Sequence, residues 1–247
     1  MASPRARARV TGLVYLLYFV TAVASALIPP QIGGPVPLPT NADSFANSVT
    51  SNTSSYEIGS AVSLISTVLY VALGGLFYLL LKPVSRTLAL LMLIITLAES
   101  VITAIGNLFQ LAPLAVLNGS SYLNAFDPKQ QHAIALLFLH LSTQAGDVAL
   151  VFAGPFELLL GYLIYRSGFL PKLIGVLVAL AGLAWLTFLY PPLSTFLTTE
   201  VEVVGFVAEL VLMLWLLIRG VDNERWNQLA ARAFSVPSAA AARPSAT

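Results

Sequence analysis

The chain has 247 residues, 57% of them apolar and 9% charged, where a soluble globular domain carries roughly 45–50% and 25%. A net charge of +1 offers no basic footprint for nucleic acid, so no nucleic-acid partner is expected. Cysteine is absent, which excludes disulfides, thiol nucleophiles and thiolate metal sites together.

A helix needs roughly 20 mainly apolar residues to cross a hydrocarbon core of about 30 Å. Six stretches meet that requirement, near 10–28, 58–81, 88–111, 128–165, 173–190 and 203–218. The predicted class is therefore all-α, a polytopic six-helix transmembrane bundle over residues 1–221 with a cytoplasmic tail over 222–247. The lipid bilayer is its first expected partner.

The first stretch follows Arg5, Arg7 and Arg9 and contains Ala24-Ser25-Ala26, a pattern shared with cleavable leaders. Its apolar run continues through Leu27 and Ile28 and carries Tyr15 and Tyr18, which suits a retained helix. The connection that follows is rich in Pro, Gly, Ser, Asn and Thr. Pro29-Pro30 and Gly33-Gly34-Pro35 break any helix there, while Phe45 and Val49 are spaced for a short surface helix, plain disorder being the alternative.

Ahead of the fourth stretch, Asp127 is placed as an N-cap, Pro128 as the first helical residue and Gln130 as its capping-box partner. A helix from 128 to 165 is about 57 Å long at ~1.5 Å per residue. It must project outward, tilt or bend, and Gly154-Pro155 is the expected bend because Pro155 has no N–H to donate. In the fifth stretch Gly168, Gly175 and Gly182 recur every seven residues with Ala179 between, a face that admits close packing. Beyond the sixth, Trp226, Leu229, Ala230 and Phe234 are spaced for a short helix on the membrane surface, and the Ala, Ser and Pro of the last residues predict disorder.

Cations set the orientation. Connections on one side hold Arg5, Arg7, Arg9, Lys82, Arg86, Arg166, Lys172, Arg219, Arg225, Arg232 and Arg243; those on the other hold Lys129. The positive-inside rule then puts both termini in the cytoplasm.

The stretches 81–91 (LKPVSRTLALL), 161–177 (GYLIYRSGFLPKLIGVL) and 208–221 (AELVLMLWLLIRGV) resemble domain-of-unknown-function family 4386 (DUF4386), integral membrane proteins of bacteria and archaea. The likeness extends from Val10 to Val221. It implies a six-helix protein of a bacterial or archaeal inner membrane and supplies no substrate, reaction or catalytic residue.

Site expectations therefore rest on the side chains themselves. Ionisable groups within spans are costly in lipid and point to function. Glu99, Glu157 and Glu209 lie thirteen, nine and ten residues from Arg86, Arg166 and Arg219, hence ~20, ~14 and ~15 Å deep. No Lys, Arg or His shares that depth. Without a cation beside it, a desolvated acid favours its neutral form, so proton exchange is chemically available. Tyr18, Thr21, Tyr70 and Trp185 reach similar levels on the other helices, and Thr103 shares the polar strip of Glu99; Tyr18, Tyr70 and Thr103 complete the candidate proton- or substrate-binding set. The competing reading is that protonated Glu side chains bridge helices by hydrogen bonds.

His140 and Asp147 share one helix face near the outer boundary. They are too few for a zinc centre, and no metal is expected. No phosphate-binding glycine loop, HExxH pair, nucleophile elbow or haem motif occurs, so no cofactor is expected and nothing positively marks an enzyme. Three function classes remain: a polar-cavity protein that binds or transports a small molecule with protons, a non-catalytic membrane subunit or sensor, and a membrane-embedded enzyme acting on lipid. Six helices are few for a carrier, which leaves room for a homo-oligomer.

The orientation is testable in this cysteine-free chain. A single cysteine at Ser51 is expected to react with an impermeant thiol reagent added outside intact cells, and one at Ser85 only after permeabilisation. The opposite pattern reverses the assignment.

Overall fold

The computed structural model describes residues 3–28, 38–119 and 123–234. Its helices are α1 (Pro4–Leu27), α2 (Ala42–Ser51), α3 (Thr53–Leu81), α4 (Arg86–Leu117), α5 (Pro128–Ser167), α6 (Lys172–Trp185), α7 (Pro191–Ile218) and α8 (Asn223–Phe234), with a 3-10 turn, Leu186–Leu189, extending α6. No strand occurs among the described residues. Six helices, α1, α3, α4, α5, α6 with its 3-10 turn, and α7, are long and apolar enough to cross a membrane. The protein is an all-α, multi-pass membrane protein. Gly33-Gly34-Pro35 and the Ala, Ser and Pro-rich end, 235–247, lie outside the described residues.

Local signals start and stop the helices. The Ser3 side chain accepts from the Ala6 N–H at the head of α1, ahead of Pro4. Asp127 and Gln130 form the reciprocal capping box of α5, both bonds 2.9 Å long, so two orphan donors are satisfied at once. At its other end α5 stops on Gly168 with φ of 67°, a left-handed conformation that favours glycine. Gly168 thus belongs to the α5 cap, and the close-packing face of α6 starts at Gly175. α5 runs unbroken through Pro155 for 40 residues.

α7 begins twelve residues before the apolar window that predicted it. Pro191 occupies its first turn, and the polar run that hides its start bonds to its own backbone: Thr195 Oγ1 and Thr198 Oγ1 donate to the Pro191 and Ser194 carbonyls at 2.9 and 2.6 Å. Hydroxyls satisfied within the helix add little polarity to its surface.

On the cation-poor side, α2 covers the projecting end of α5. Phe45, Val49 and Tyr56 pack with Val116 of α4 and Ala135 and Leu139 of α5, and Asp43 meets His132 at 2.7 Å. On the cation-rich side, α8 ties the bundle ends together. Trp226 donates its indole N–H to the Leu80 carbonyl at 2.9 Å, Arg7 stacks over the same ring, and Arg225 donates to the Gly168 carbonyl at 2.8 Å. Between α8 and the membrane centre lies the main apolar core, including Phe77, Leu80, Met92, Leu163, Leu212 and Leu216.

Glycines let α5 and α6 approach closely. A Cβ on Gly175 would lie 2.7 Å from the Gly161 carbonyl oxygen and the Tyr165 nitrogen; one on Gly182 would meet the Leu158 nitrogen at 2.7 Å. Without a water-driven hydrophobic force between helices in lipid, association rests on such backbone proximity. Gly175→Val is expected to destabilise the bundle by about 1–3 kcal/mol, the usual cost of overpacking, read as a lower melting temperature in detergent. At Gly146, where an added Cβ meets nothing within 4 Å, Gly146→Ala should leave the melting temperature unchanged or raise it.

Candidate functional site

Three helices that share no local sequence bring their acids to one place. Glu99 of α4, Glu157 of α5 and Glu209 of α7 line a single cavity of about 430 Å³, together with Glu202 of α7. Tyr15 and Tyr18 of α1, Tyr70 of α3 and Trp185 of α6 complete its polar lining, and none of the lining residues is Lys, Arg or His.

Each acid is placed by its neighbours. Glu157 lies between Gly154 and Gly161 on the face that α6 approaches, and it is 4% exposed. Its Oε1 accepts the Trp185 indole N–H at 3.2 Å, while its Oε2 is buried with no hydrogen-bond donor. Trp185 in turn rests on Gly205 of α7, where an added Cβ would run into the indole ring. Glu209 follows Gly205 by one helical turn, and its carboxyl adjoins that of Glu157.

Glu99 is held differently. Tyr70 donates its hydroxyl to Glu99 Oε2 at 2.8 Å, and Thr103 Oγ1 donates to the Glu99 carbonyl at 3.0 Å. A second cavity of about 200 Å³ adjoins the first, sharing Tyr18, Ala22, Tyr70 and Glu99, and adds Ser25, Ser63, Ser66, Thr67 and Thr103. Its hydroxyls lead toward the cation-poor side. There Ser63 donates to Asn107 Oδ1 at 2.7 Å and the Asn107 amide donates to Thr67 at 3.1 Å.

Aromatic rings form one wall of the main cavity. Tyr15 and Tyr18 lie 6.2 Å apart between ring centroids, Tyr18 and Tyr70 5.1 Å, and Tyr70 and Phe156 5.9 Å. The floor toward the cation-rich side is apolar, with Leu73 and Phe77 belonging to both lining and core. At that end α1 and α7 touch closely, since a Cβ on Gly12 would meet the Leu217 backbone nitrogen at 2.6 Å.

Of the residues singled out from the sequence, Glu99, Glu157, Glu209, Tyr18 and Tyr70 line the main cavity and Thr103 the adjoining one. His140 and Asp147 line neither. Asp147 is exposed, and among the described residues no three His, Asp or Glu side chains gather into a metal-holding group. Tyr15, Phe156 and Glu202 are lining residues outside the expected set. The signals were there in part: Tyr15 precedes Tyr18 by one turn, and Glu202 precedes Glu209 by seven residues.

Comparison with known proteins adds identity without chemistry. A protein of Archaeoglobus fulgidus described as "Uncharacterized protein" is 26% identical over 155 residues, covering 62% of this chain and 78% of its own length. No solved structure matches the chain. Residues 10–220 match the family described as "Domain of unknown function (DUF4386)", and with most of its length inside that match the chain belongs to this family.

Proposed function

We propose that this protein is a small-molecule binder or carrier of a prokaryotic cell membrane, whose central cavity exchanges protons on Glu99, Glu157 and Glu209 as ligand enters and leaves. The observation that carries the reading is the convergence of three acids from three helices on one cavity with no basic side chain in its lining. Acids serving only to bridge helices would each be satisfied by a neighbouring donor. Glu99 is so satisfied by Tyr70, but Glu157 keeps one buried oxygen without a donor. A proton shared with the adjoining Glu209 carboxyl, or a ligand, can supply what is missing.

The titratable groups facing this site are Tyr15 and Tyr18 from α1, Tyr70 from α3, Glu99 from α4, Glu157 from α5, and Glu202 and Glu209 from α7. The hydroxyls of Ser63, Thr67 and Tyr70 that line the adjoining cavity give protons a polar route from the cation-poor side. The apolar core beneath the cavity supports a state closed toward the cytoplasm. An archaeal relative within the same family supports placement in a prokaryotic cell membrane.

Reconstituted vesicles carrying an internal pH dye provide the test, with a panel of small cationic, anionic and neutral amphiphiles added outside. At least one compound is expected to drive proton movement in the wild type. Glu157→Gln and Glu209→Gln are expected to slow it at least tenfold, since Gln keeps the shape and removes the exchangeable proton. Tyr70→Phe removes one donor to a carboxyl and should slow it about tenfold, the equivalent of roughly 1.4 kcal/mol. Wild-type flux in the Glu99→Gln, Glu157→Gln and Glu209→Gln variants, or no flux with any compound, would overturn the proposal and favour a structural membrane subunit.

A further inference from the structure

The walls of the central cavity differ enough to select among ligands, and the selection rests on the proposal above that a small molecule binds there. Four of its lining side chains are acids, Glu99, Glu157, Glu202 and Glu209. With no cation among the lining residues, nothing there neutralises an anionic ligand, and any ionised carboxyl repels it in a setting where screening is weak.

A bare metal ion fits no better. Calcium or magnesium takes six or more oxygens at close range, yet these carboxyls do not gather into a metal-holding group. They stand around a space of about 430 Å³, within the usual range for small-molecule pockets. What they can surround is larger than an ion.

The opposite wall suits a positive charge on an organic body. The rings of Tyr15, Tyr18, Tyr70 and Phe156 follow one another at centroid spacings of 5.1–6.2 Å, and an aromatic face attracts an organic cation most strongly where water is excluded. In the same lining, Glu157 is 4% exposed and one of its carboxyl oxygens has no hydrogen-bond donor. A buried acceptor left without a partner is costly, and a positive group placed beside it removes that cost.

A path to this space also exists. Val23 and Leu27 of α1 and Phe206 of α7 line the cavity and are 39%, 64% and 46% exposed. The two helices meet closely at Gly12 and Leu217 near the cation-rich end, so the cleft between them reaches the lipid-facing surface in the other half.

We infer that the cavity takes an organic cation with an apolar body, its charge beside Glu157 and Glu209 and its body against the tyrosine wall, entering between α1 and α7 from the cation-poor half of the membrane. An ammonium or quaternary nitrogen bearing an aryl or alkyl group has the required chemistry. Its arrival beside Glu157 and Glu209 would displace a proton from one of these carboxyls, which couples ligand entry to proton release.

The test separates charge from shape. The full chain in nanodiscs is titrated calorimetrically with benzyltrimethylammonium and with neopentylbenzene, its uncharged carbon isostere, each corrected for partition into empty nanodiscs. The cation is expected to bind saturably and at least tenfold more tightly than the isostere. Glu157→Gln should weaken it at least tenfold, as should Ala22→Trp, which fills the cavity without removing an acid; Glu224→Gln on α8 should change nothing. If Gln variants fail to fold, the two probes on the wild type still decide. Equal or tighter binding of neopentylbenzene overturns the cation class and leaves the small-molecule cavity standing. No saturable binding of the cation also overturns it, and the proton-flux panel then judges the broader proposal by itself.

Discussion

Where α5 and α6 meet, Gly154 and Gly161 of one helix face Gly175 and Gly182 of the other, and no side chain keeps the backbones apart. The spacing of seven on both helices sustains that contact over two turns. Glu157 stands between the two α5 glycines, so the contact fixes which way its carboxyl points. It also brings Trp185, at the end of α6, within reach to donate to Glu157 at 3.2 Å. Gly205 then leaves room on α7 for the indole, and Glu209, one turn further along, is carried to the same cavity. A chain of small residues thus positions two acids from helices far apart in sequence.

The acids do not share one environment. Between α3 and α4, Glu99 accepts from Tyr70 and, on its backbone carbonyl, from Thr103, and Ser63, Asn107 and Thr67 form a hydrogen-bonded network of their own. Polar networks of this kind specify a unique packing when every member is satisfied. Glu157 sits outside that network with one oxygen unpaired. The difference lies in the surroundings of the two carboxyls, which the position of an acid along its helix does not reveal.

The two ends of the bundle are finished by different means. At the cation-rich end, basic side chains find aromatic faces and carbonyls: Arg7 over Trp226, Lys172 over Tyr165, Arg219 over Trp215, Arg225 on Gly168. Long cationic side chains can lie along apolar surface while their heads stay at the interface, which suits this edge of the bundle. At the other end α2, the start of α3 and the facing turns of α5 and α4 build a small separate core. The cavity opens between these two finishes, nearer the second.

The chain by itself determined the class and the six long apolar helices, because length, hydropathy and charge placement are properties of local sequence. It also marked the capping box at Asp127 and the surface helix around Trp226, since cap and amphipathic signals lie within a few residues of the structure they set. It misplaced the start of α7, where Ser, Thr and Glu interrupt the apolar run and their hydroxyls are satisfied only once the helix exists. It assigned Gly168 to the repeat of the following helix, although spacing alone cannot tell a packing glycine from a left-handed cap. Whether Glu99, Glu157 and Glu209 faced one space, and which of them kept an unpaired oxygen, was decided only by tertiary structure. Rotation of each helix about its axis depends on the neighbours it packs against, and those neighbours are set by contacts such as Gly161 with Gly175 and Trp185 with Gly205, between residues that no local pattern connects.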